Sequence, residues 1–126
     1  MIETFEVEAH YNLALLYPLG YSPIYIFTLI QSSVFETWLS GLTDLKAKAR
    51  ILARLRSAML GNFGDCEPVG EGVSEMRIHV GAGYRVYYMQ TGTTVYVLLT
   101  GGNKSSQKKD ITQAKKMAHE FKEEKR

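Results

Sequence analysis

The chain has 126 residues, 45% of them hydrophobic and 22% charged, which indicates one globular domain with an ordinary core. The single cysteine, Cys66, excludes an internal disulfide, and no apolar run reaches the roughly 18 residues of a membrane span, so we expect a reducing cytoplasm, no membrane partner and no metal or cofactor. The net charge is +2, but residues 44–126 hold all 15 cations and nine of the 13 acids, a net +6 that favours either a polyanionic partner or a solvated basic surface.

An irregular segment and then a strand are predicted at the start of the chain. Residues 1–23 show no clear hydrophobic period, and two prolines and a glycine among them interrupt regular structure. Residues 24–30, IYIFTLI, are rich in β-forming side chains and predict a strand. Ser32 or Ser33 is then expected to cap a short helix with the sequence VFETWLSGL.

The next predicted element is a longer, strongly basic helix. It is expected to begin at a cap at Thr43 or Asp44 and to run to about Leu60, with apolar residues at spacings of three and four. Between the apolar positions lie five cations, against the single acid Asp44: Lys46, Lys48, Arg50, Arg54 and Arg56. Because the link to the preceding helix is short, we expect an antiparallel helical pair.

Three strands and a final helix are predicted in the second half of the chain. The sequence GNFGDCEPVGEG is expected to be a loop, and it is followed by strands at about 74–80, 84–90 and 94–100 and a helix at 106–123. The predicted order is therefore β-α-α-β-β-β-α, an α+β fold with a single, mainly antiparallel sheet.

The first hairpin predicts a core face and an open face of this sheet, because side chains alternate along a strand. A three-residue loop at 81–83 would pair Val80 with Tyr84, and a tight turn at Thr91-Gly92 would follow. The core face is expected to hold Met76, Ile78, Val80, Tyr84, Val86, Tyr88, Val95, Val97 and Leu99. The open face is expected to hold Arg77, His79, Arg85, Tyr87 and Tyr96.

A basic and aromatic open face fits single-stranded RNA, because cations bind phosphate and tyrosines stack on bases. RNA cleavage through the 2′-OH also needs a group that exchanges protons and cations that hold the charge on phosphorus. His79 is the strand residue that exchanges protons near neutral pH. An ordinary solvated sheet face and a structural histidine are the competing interpretations.

Three segments resemble the RelE/ParE toxin superfamily, and within it the HigB-like addiction module killer proteins. They are FETWLSGLTDLKAKARILARL, GNFGDCEPVGEGVSEMRIHVGAGYRVYY and LLTGGNKSSQKKDITQAKKMA, and the match spans roughly residues 29–120. The resemblance implies a RelE-like fold and a toxin of a type II toxin–antitoxin pair that cleaves mRNA on the ribosome without a metal. It implies two partners, a helix-turn-helix antitoxin and mRNA together with ribosomal RNA contacts.

The resemblance also implies which residues act on the RNA. In the resembled family, two basic residues at alternate positions precede the Gly-Tyr-Arg turn, and they correspond to Arg77 and His79. The arginine of that motif corresponds to Arg85, and a basic residue after the last strand corresponds to Lys104. These four are the predicted catalytic residues. Asn103 replaces an acid that close family members carry, and the C-terminal tyrosine of RelE has no counterpart, although Gln107 or Asp110 falls at the matching edge. The predicted substrate contacts are Tyr87, Tyr96, Lys46, Lys48, Arg50, Arg54 and Gln107.

Other functions and a second chain start stay open. A ParE-like inhibitor of DNA gyrase is one alternative, although the basic set argues against it, and a non-catalytic antitoxin-binding module is another. We expect a toxin domain at 29–126 and an extension at 1–28 from a misassigned start, because Leu29 stands where relatives begin with methionine. Deleting residues 2–23 should then change little. The competing interpretation is a real extension that lengthens the edge strand.

Overall fold

The computed structural model of the protein describes residues 2–4 and 25–124. Its strands are β1 (Ile2–Thr4), β2 (Thr28–Ser32), β3 (Cys66–Gly70), β4 (Val73–Ile78), β5 (Tyr84–Gln90) and β6 (Val95–Gly102). Its helices are α1 (Ser33–Ser40), α2 (Leu45–Met59) and α3 (Gln107–Glu124), and a 3-10 turn, Lys104–Ser106, precedes α3. None of the helices in these described ranges has the length and apolar character needed to cross a lipid bilayer.

All six strands join one mixed sheet in the order β1-β2-β6-β5-β4-β3. The β2–β6 pair is parallel and the other neighbours are antiparallel, so the predicted α+β class with a mainly antiparallel sheet is confirmed. The predicted order of elements was incomplete, because β1 and β3 are additional strands. The edge strand β3 lies inside the predicted loop, where Pro68 and two glycines mask a strand pattern.

The N-terminal side of the sheet differs from the prediction. β2 begins at Thr28 and ends at Ser32, whereas the predicted strand covered 24–30. β1 pairs with β2, so Ile2–Thr4 has a place in the sheet that a segment outside the domain would lack. The division at residues 28 and 29 stays a prediction, and residues 5–24, with most of the predicted extension, lie outside the described residues.

Side-chain caps begin the first two helices, as the sequence indicated. The Ser32 hydroxyl accepts from the Phe35 amide at 3.0 Å and donates to the Leu99 carbonyl at 2.6 Å, which ties the start of α1 to β6. The Asp44 carboxylate accepts from the Ala47 amide at 3.1 Å at the start of α2. These bonds satisfy amides that the helical backbone leaves without partners.

Helices cover both faces of the sheet, so the prediction of an open face was wrong. One core lies between the sheet and the α1–α2 pair, and it includes Phe35, Leu39, Ile51, Leu55, Met76, Ile78, Val86, Tyr88 and Leu98. A second core lies beneath α3, and it includes Val73, Tyr87, Met89, Val97, Leu99, Ala114, Ala118 and Phe121. The amphipathic stripe predicted for the final helix therefore packs on the face that was expected to meet solvent.

The register of the β4–β5 hairpin is shifted by two residues from the prediction. Ile78, not Val80, pairs with Tyr84, and Arg77 stands directly opposite Arg85. The loop is longer than expected because Gly81 and Gly83 adopt positive φ angles of 55° and 75°, which glycine reaches without strain. A shift of two preserves the assignment of side chains to faces within this hairpin.

The register of β6 is shifted by an odd number of residues, which exchanges its faces. Gln90 pairs with Tyr96, so Tyr96 lies on the α1–α2 face, whereas Val97 and Leu99 lie beneath α3. The predicted two-residue turn is longer, since the Thr91 amide donates to the Val95 carbonyl at 2.9 Å. The predicted faces of the third strand were therefore wrong.

Replacing Gly101 with alanine is expected to destabilise the fold by about 1–3 kcal/mol, the usual cost of overpacking a core. A Cβ at Gly101 would overlap the Trp38 ring of α1. Urea unfolding followed by fluorescence of the single tryptophan measures the change in the free energy of unfolding. Gly92→Ala is the matched control, because nothing lies within 4 Å of a Cβ there. Equal losses in the two variants would contradict the packing described.

Candidate active site

One cleft brings together all four residues predicted to be catalytic. Its volume is about 420 Å³. Arg77, His79, Arg85 and Lys104 line it together with Ile78, Val80, Gly81, Gly83 and Tyr84. The cleft lies where the β4–β5 hairpin loop meets the turn that follows β6.

The hairpin loop is fixed against the residues that follow β6. The Lys104 amide donates to the Ala82 carbonyl at 3.3 Å, and Arg85 Nη1 donates to the Gly83 carbonyl at 2.9 Å. A Cβ at Gly83 would lie 3.4 Å from the Lys104 Cβ, so glycine allows this close approach. These backbone contacts place Lys104 beside Arg85 although 19 positions separate them in the sequence.

Asn103 caps the turn that carries Lys104. Its side-chain oxygen accepts from the Ser105 and Ser106 amides at 2.9 and 3.3 Å, and the Ser106 hydroxyl donates to Asp110 at 2.5 Å. An aspartate could accept the same two amide bonds. The capping bonds of this turn are therefore ones that either asparagine or aspartate at position 103 could accept.

A buried carboxylate lies between the two arginines of the cleft. Arg77 and Arg85 are cross-strand neighbours, a like-charge arrangement that is unfavourable by itself. Glu75 is only 2% exposed, with Oε2 at 3.2 Å from Arg77 Nε and Oε1 at 3.2 Å from Arg85 Nε. The sequence showed Glu75 as an acid of the first strand, but the predicted register did not reveal that it serves both arginines.

Two more acids contact the cleft from the segment predicted to be a loop. Asp65 lies 3.4 Å from Arg77 Nη1, and Glu67 accepts a hydrogen bond from Arg77 Nη2. Asp65 Oδ2 also lies 2.6 Å from His79 Nε2, and the His79 side chain is 74% exposed. The hydrogen bond with His79, and then the charge of Arg77, lower the pKa of the Asp65 carboxyl.

Sequence reasoning missed the role of Asp65 and Glu67 because it gave their segment no strand. Their spacing of two places both on one side of an extended chain, as expected beside β4. The one sequence feature that could have revealed this role is the alternation of Asp65 and Glu67 in the segment that pairs with β4.

Arg54, predicted to contact substrate, does not line the cleft. Its guanidinium donates to the carbonyls of Arg77 at 2.5 Å, Phe63 at 2.9 Å and Asp65 at 3.4 Å. Arg54 therefore connects α2 to β4 and to the loop that presents Asp65. The other predicted contacts of α2, Lys46, Lys48 and Arg50, do not line the cleft, and among the described residues they have no acid within 4.0 Å.

The two tyrosines predicted to stack on bases do not line the cleft. Tyr87 is fully buried, its hydroxyl donates to Glu75 Oε1 at 3.2 Å, and burial together with the Glu75 charge raises its pKa. Tyr96 packs on the opposite face against Phe27 and Phe63, with ring centroids 5.2 and 4.7 Å apart. Neither ring can stack on a base in the cleft.

Gln107, which was predicted to touch substrate, does not line the cleft but contacts a residue behind it. Its Nε2 donates to Glu75 Oε1 at 2.8 Å from the first turn of α3. Tyr87 and Gln107 thus hydrogen-bond the same carboxylate oxygen. The same carboxylate contacts Arg77 and Arg85.

Comparison with known proteins gives this chain a relative. It is 50% identical over 87 residues to a Haemophilus influenzae protein described as uncharacterized, and the match covers 69% of this chain and 88% of that protein. The two proteins belong to one family. No model of a known protein family matches the chain.

The cleft of this family member is suited to an anion with a transferable proton nearby. Arg77 and Arg85 offer planar, fixed donors that match phosphate oxygens, and Lys104 adds a third cation. His79 adds an imidazole, a side chain able to exchange protons. Within the described residues, no three His, Cys, Asp or Glu side chains are grouped as a metal site requires.

The Asp65–His79 contact predicts how the Asp65 carboxyl titrates. The pKa of Asp65 is lowered from 3.8, chiefly by His79, so the pair stabilises the fold above that pH and loses this contribution as the pH falls through the lower folded pKa. In His79→Ala the Asp65 midpoint, followed by carboxyl ¹³C NMR, should rise. In Lys104→Ala it should stay the same, because Lys104 does not contribute to the shift. An unchanged midpoint in His79→Ala would contradict the contact.

Proposed function

We propose that this protein is the toxin of a type II toxin–antitoxin pair and acts as a metal-independent, ribosome-dependent mRNA endonuclease. The observation that carries the proposal is the single cleft lined by Arg77, His79, Arg85 and Lys104. Those four residues were selected from sequence resemblance, and they come from three separate chain segments. The succession of β2, α1, α2, β4, β5, β6 and α3 supports a RelE-like fold, to which β1 and β3 are additions.

In the proposed reaction the 2′ oxygen of a nucleotide attacks the adjacent phosphorus. The new bond forms to the 2′ oxygen, the bond to the 5′ oxygen breaks, and the products end in a 2′,3′-cyclic phosphate and a 5′-OH. His79 takes the proton from the 2′-OH and then gives a proton to the departing 5′ oxygen. Because its Nε2 contacts Asp65, its Nδ1 is the nitrogen left to face RNA. Arg77, Arg85 and Lys104 stabilise the charge on the phosphate oxygens.

The acids of the cleft divide into two groups in this proposal. Asp65 and Glu67 have side chains that are 43% and 61% exposed, so an arriving phosphate can take their places on Arg77 with little rearrangement. Glu75 is buried and stays. When RNA is absent, the acids of the protein neutralise Arg77. In the proposed complex, the RNA phosphate replaces Asp65 and Glu67 in that role.

The basic face of α2 is the proposed surface for larger partners. Lys46 and Arg50 are exposed and Lys48 is half-buried. This positive charge fits ribosomal RNA. It also fits an antitoxin that covers the helical pair at 33–60. Because these cations lie outside the cleft, they are proposed to contribute to docking and not to the chemical step.

Single substitutions in the cleft are expected to abolish toxicity while leaving the fold intact. Removal of a general acid–base group costs about 10²–10⁴-fold, so His79→Gln should show a loss of that size. Removal of a charge-stabilising donor costs about 10²–10³-fold, which is the loss expected for Arg85→Ala. Cleavage of mRNA on translating ribosomes, with the fold checked by circular dichroism, is the measurement.

Lys116→Ala is the control for these variants, since Lys116 is an exposed cation of α3 that does not line the cleft. It should cleave at the wild-type rate. A folded His79→Ala/Arg85→Ala double variant that remains fully toxic would refute the site. Inhibition of gyrase supercoiling by the wild-type protein, without RNA cleavage, would favour the ParE-like alternative instead.

Co-expression with a neighbouring gene tests the proposed partner. A toxin must be neutralised in its own host, so a small helix-turn-helix protein encoded beside this chain should restore growth and co-purify with it. Lys46→Glu/Arg50→Glu should weaken the complex if the antitoxin lies on α2, because both side chains would reverse charge. Failure of every adjacent gene product to bind or to restore growth would count against the toxin proposal.

A further inference from the structure

Glu75 is the most highly connected charged side chain of the cleft, yet it faces away from solvent. It is 2% exposed, and its two oxygens have separate sets of partners. Oε1 accepts from Gln107 at 2.8 Å and Tyr87 at 3.2 Å and lies 3.2 Å from Arg85 Nε, and Oε2 accepts from Arg77 Nε at 3.2 Å. A buried carboxylate is costly without such partners, so its position is tightly determined.

The contacts of Glu75 use one particular nitrogen of each arginine. They involve Nε of Arg77 and Nε of Arg85, which is the guanidinium nitrogen closest to the backbone in each residue. The outer nitrogens of Arg77 contact the exposed acids Asp65 and Glu67, which a phosphate can replace. Glu75 therefore holds Arg77 by a hydrogen bond from Nε and Arg85 by an ion pair at Nε, and its oxygens leave the outer nitrogens of both guanidinium groups to other partners.

We propose that Glu75 is the positioning residue of this cleft, which holds Arg77 and Arg85 side by side for one phosphate. This inference rests on the proposed nuclease function. Tyr87 and Gln107 fix the carboxylate, so two residues predicted to touch RNA act through Glu75. Without the buried charge, the directly opposed arginines repel each other and separate.

The expected consequence is a loss of rate more than a loss of binding. A misplacement on the order of 1 Å can cost about 10²-fold in a reaction that depends on alignment. Glu75→Gln has one acceptor and one donor where glutamate has two acceptors. Since neither arginine Nε accepts hydrogen bonds, the amide nitrogen releases at least one of them.

The test compares four variants in RNA cleavage by the full-length protein with translating ribosomes. Glu75→Gln should lower kcat by about 10²-fold with a much smaller change in KM. Tyr87→Phe, which removes only a hydroxyl donor, should lose on the order of 10-fold, as for groups that orient a ligand from behind. Glu75→Asp should recover part of the rate, because it restores the charge.

Glu71→Gln is the matched control. It makes the same chemical change at an exposed acid on the turn between β3 and β4, whose carboxylate lies 4.0 Å from Lys115 Nζ. It should cleave at the wild-type rate. Wild-type kcat in folded Glu75→Gln, or an equal loss in Glu71→Gln, would overturn the proposal.

A second measurement reports on the arginines independently of catalysis. In ¹⁵N NMR the Nε–H signals of Arg77 and Arg85, assigned with single Arg→Lys variants, should exchange slowly with solvent in wild type and Glu71→Gln. They should exchange faster in Glu75→Gln and, to a smaller degree, in Tyr87→Phe. If Glu75→Gln does not fold, Tyr87→Phe decides, and unchanged exchange with unchanged rate would overturn the proposal.

The two measurements separate the two proposals. A wild-type protein that cleaves no RNA refutes the nuclease function, while the exchange rates still show whether Glu75 holds the arginines. If the wild-type protein cleaves RNA but the Nε–H exchange rates are the same in wild type and Glu75→Gln, the positioning role is refuted and the nuclease function is not.

Discussion

The structure depends on a buried carboxylate between two arginines that the strand register forces into opposition. Arg77 and Arg85 face each other across β4 and β5, and Glu75, two residues before Arg77 on the same face of β4, forms ion pairs with both. The arrangement needs α3 above this face, because Gln107 and the burial of Tyr87 complete the environment of the carboxylate. The docking of the final helix and the geometry of the cleft are therefore one structural feature.

The same constraint explains why the cleft lies at the end of the sheet. Further along β4 and β5, the face beneath α3 is apolar, with Val73 and Met89 in the second core. From the Glu75–Tyr87 pair onward charged residues replace apolar ones, and beyond the Arg77–Arg85 pair the hairpin loop and the turn after β6 meet. Glu75 itself is buried, while Arg77 and Arg85, which it contacts, line the cleft.

Local patterns predicted the elements well, and the errors came from long-range packing. The bounds of β5 follow from alternation alone, and side-chain chemistry limited each helix cap to two neighbouring residues, of which the structure uses Ser32 and Asp44. Loop length was not determined by the sequence, because glycines at 81 and 83 permit more than one turn, and an odd shift in β6 moved Tyr96 to the other face. Tyr87 was mistaken for a surface ring because nothing local shows that α3 covers it.

The cleft residues were predictable by resemblance, whereas their acid partners needed the structure. Asp65, Glu67 and Glu75 decide which nitrogens of Arg77 and His79 are engaged, and the proposed binding of RNA depends on the nitrogens that they leave accessible. The most direct test is an NMR titration of ¹⁵N-labelled protein with a fully 2′-O-methylated, uncleavable oligoribonucleotide. Signals of Gly81, Gly83, Arg85 and Lys104 should shift together and stop shifting in Arg77→Ala/Arg85→Ala. Shifts confined to the α2 face, or unaffected by that double substitution, would contradict the account.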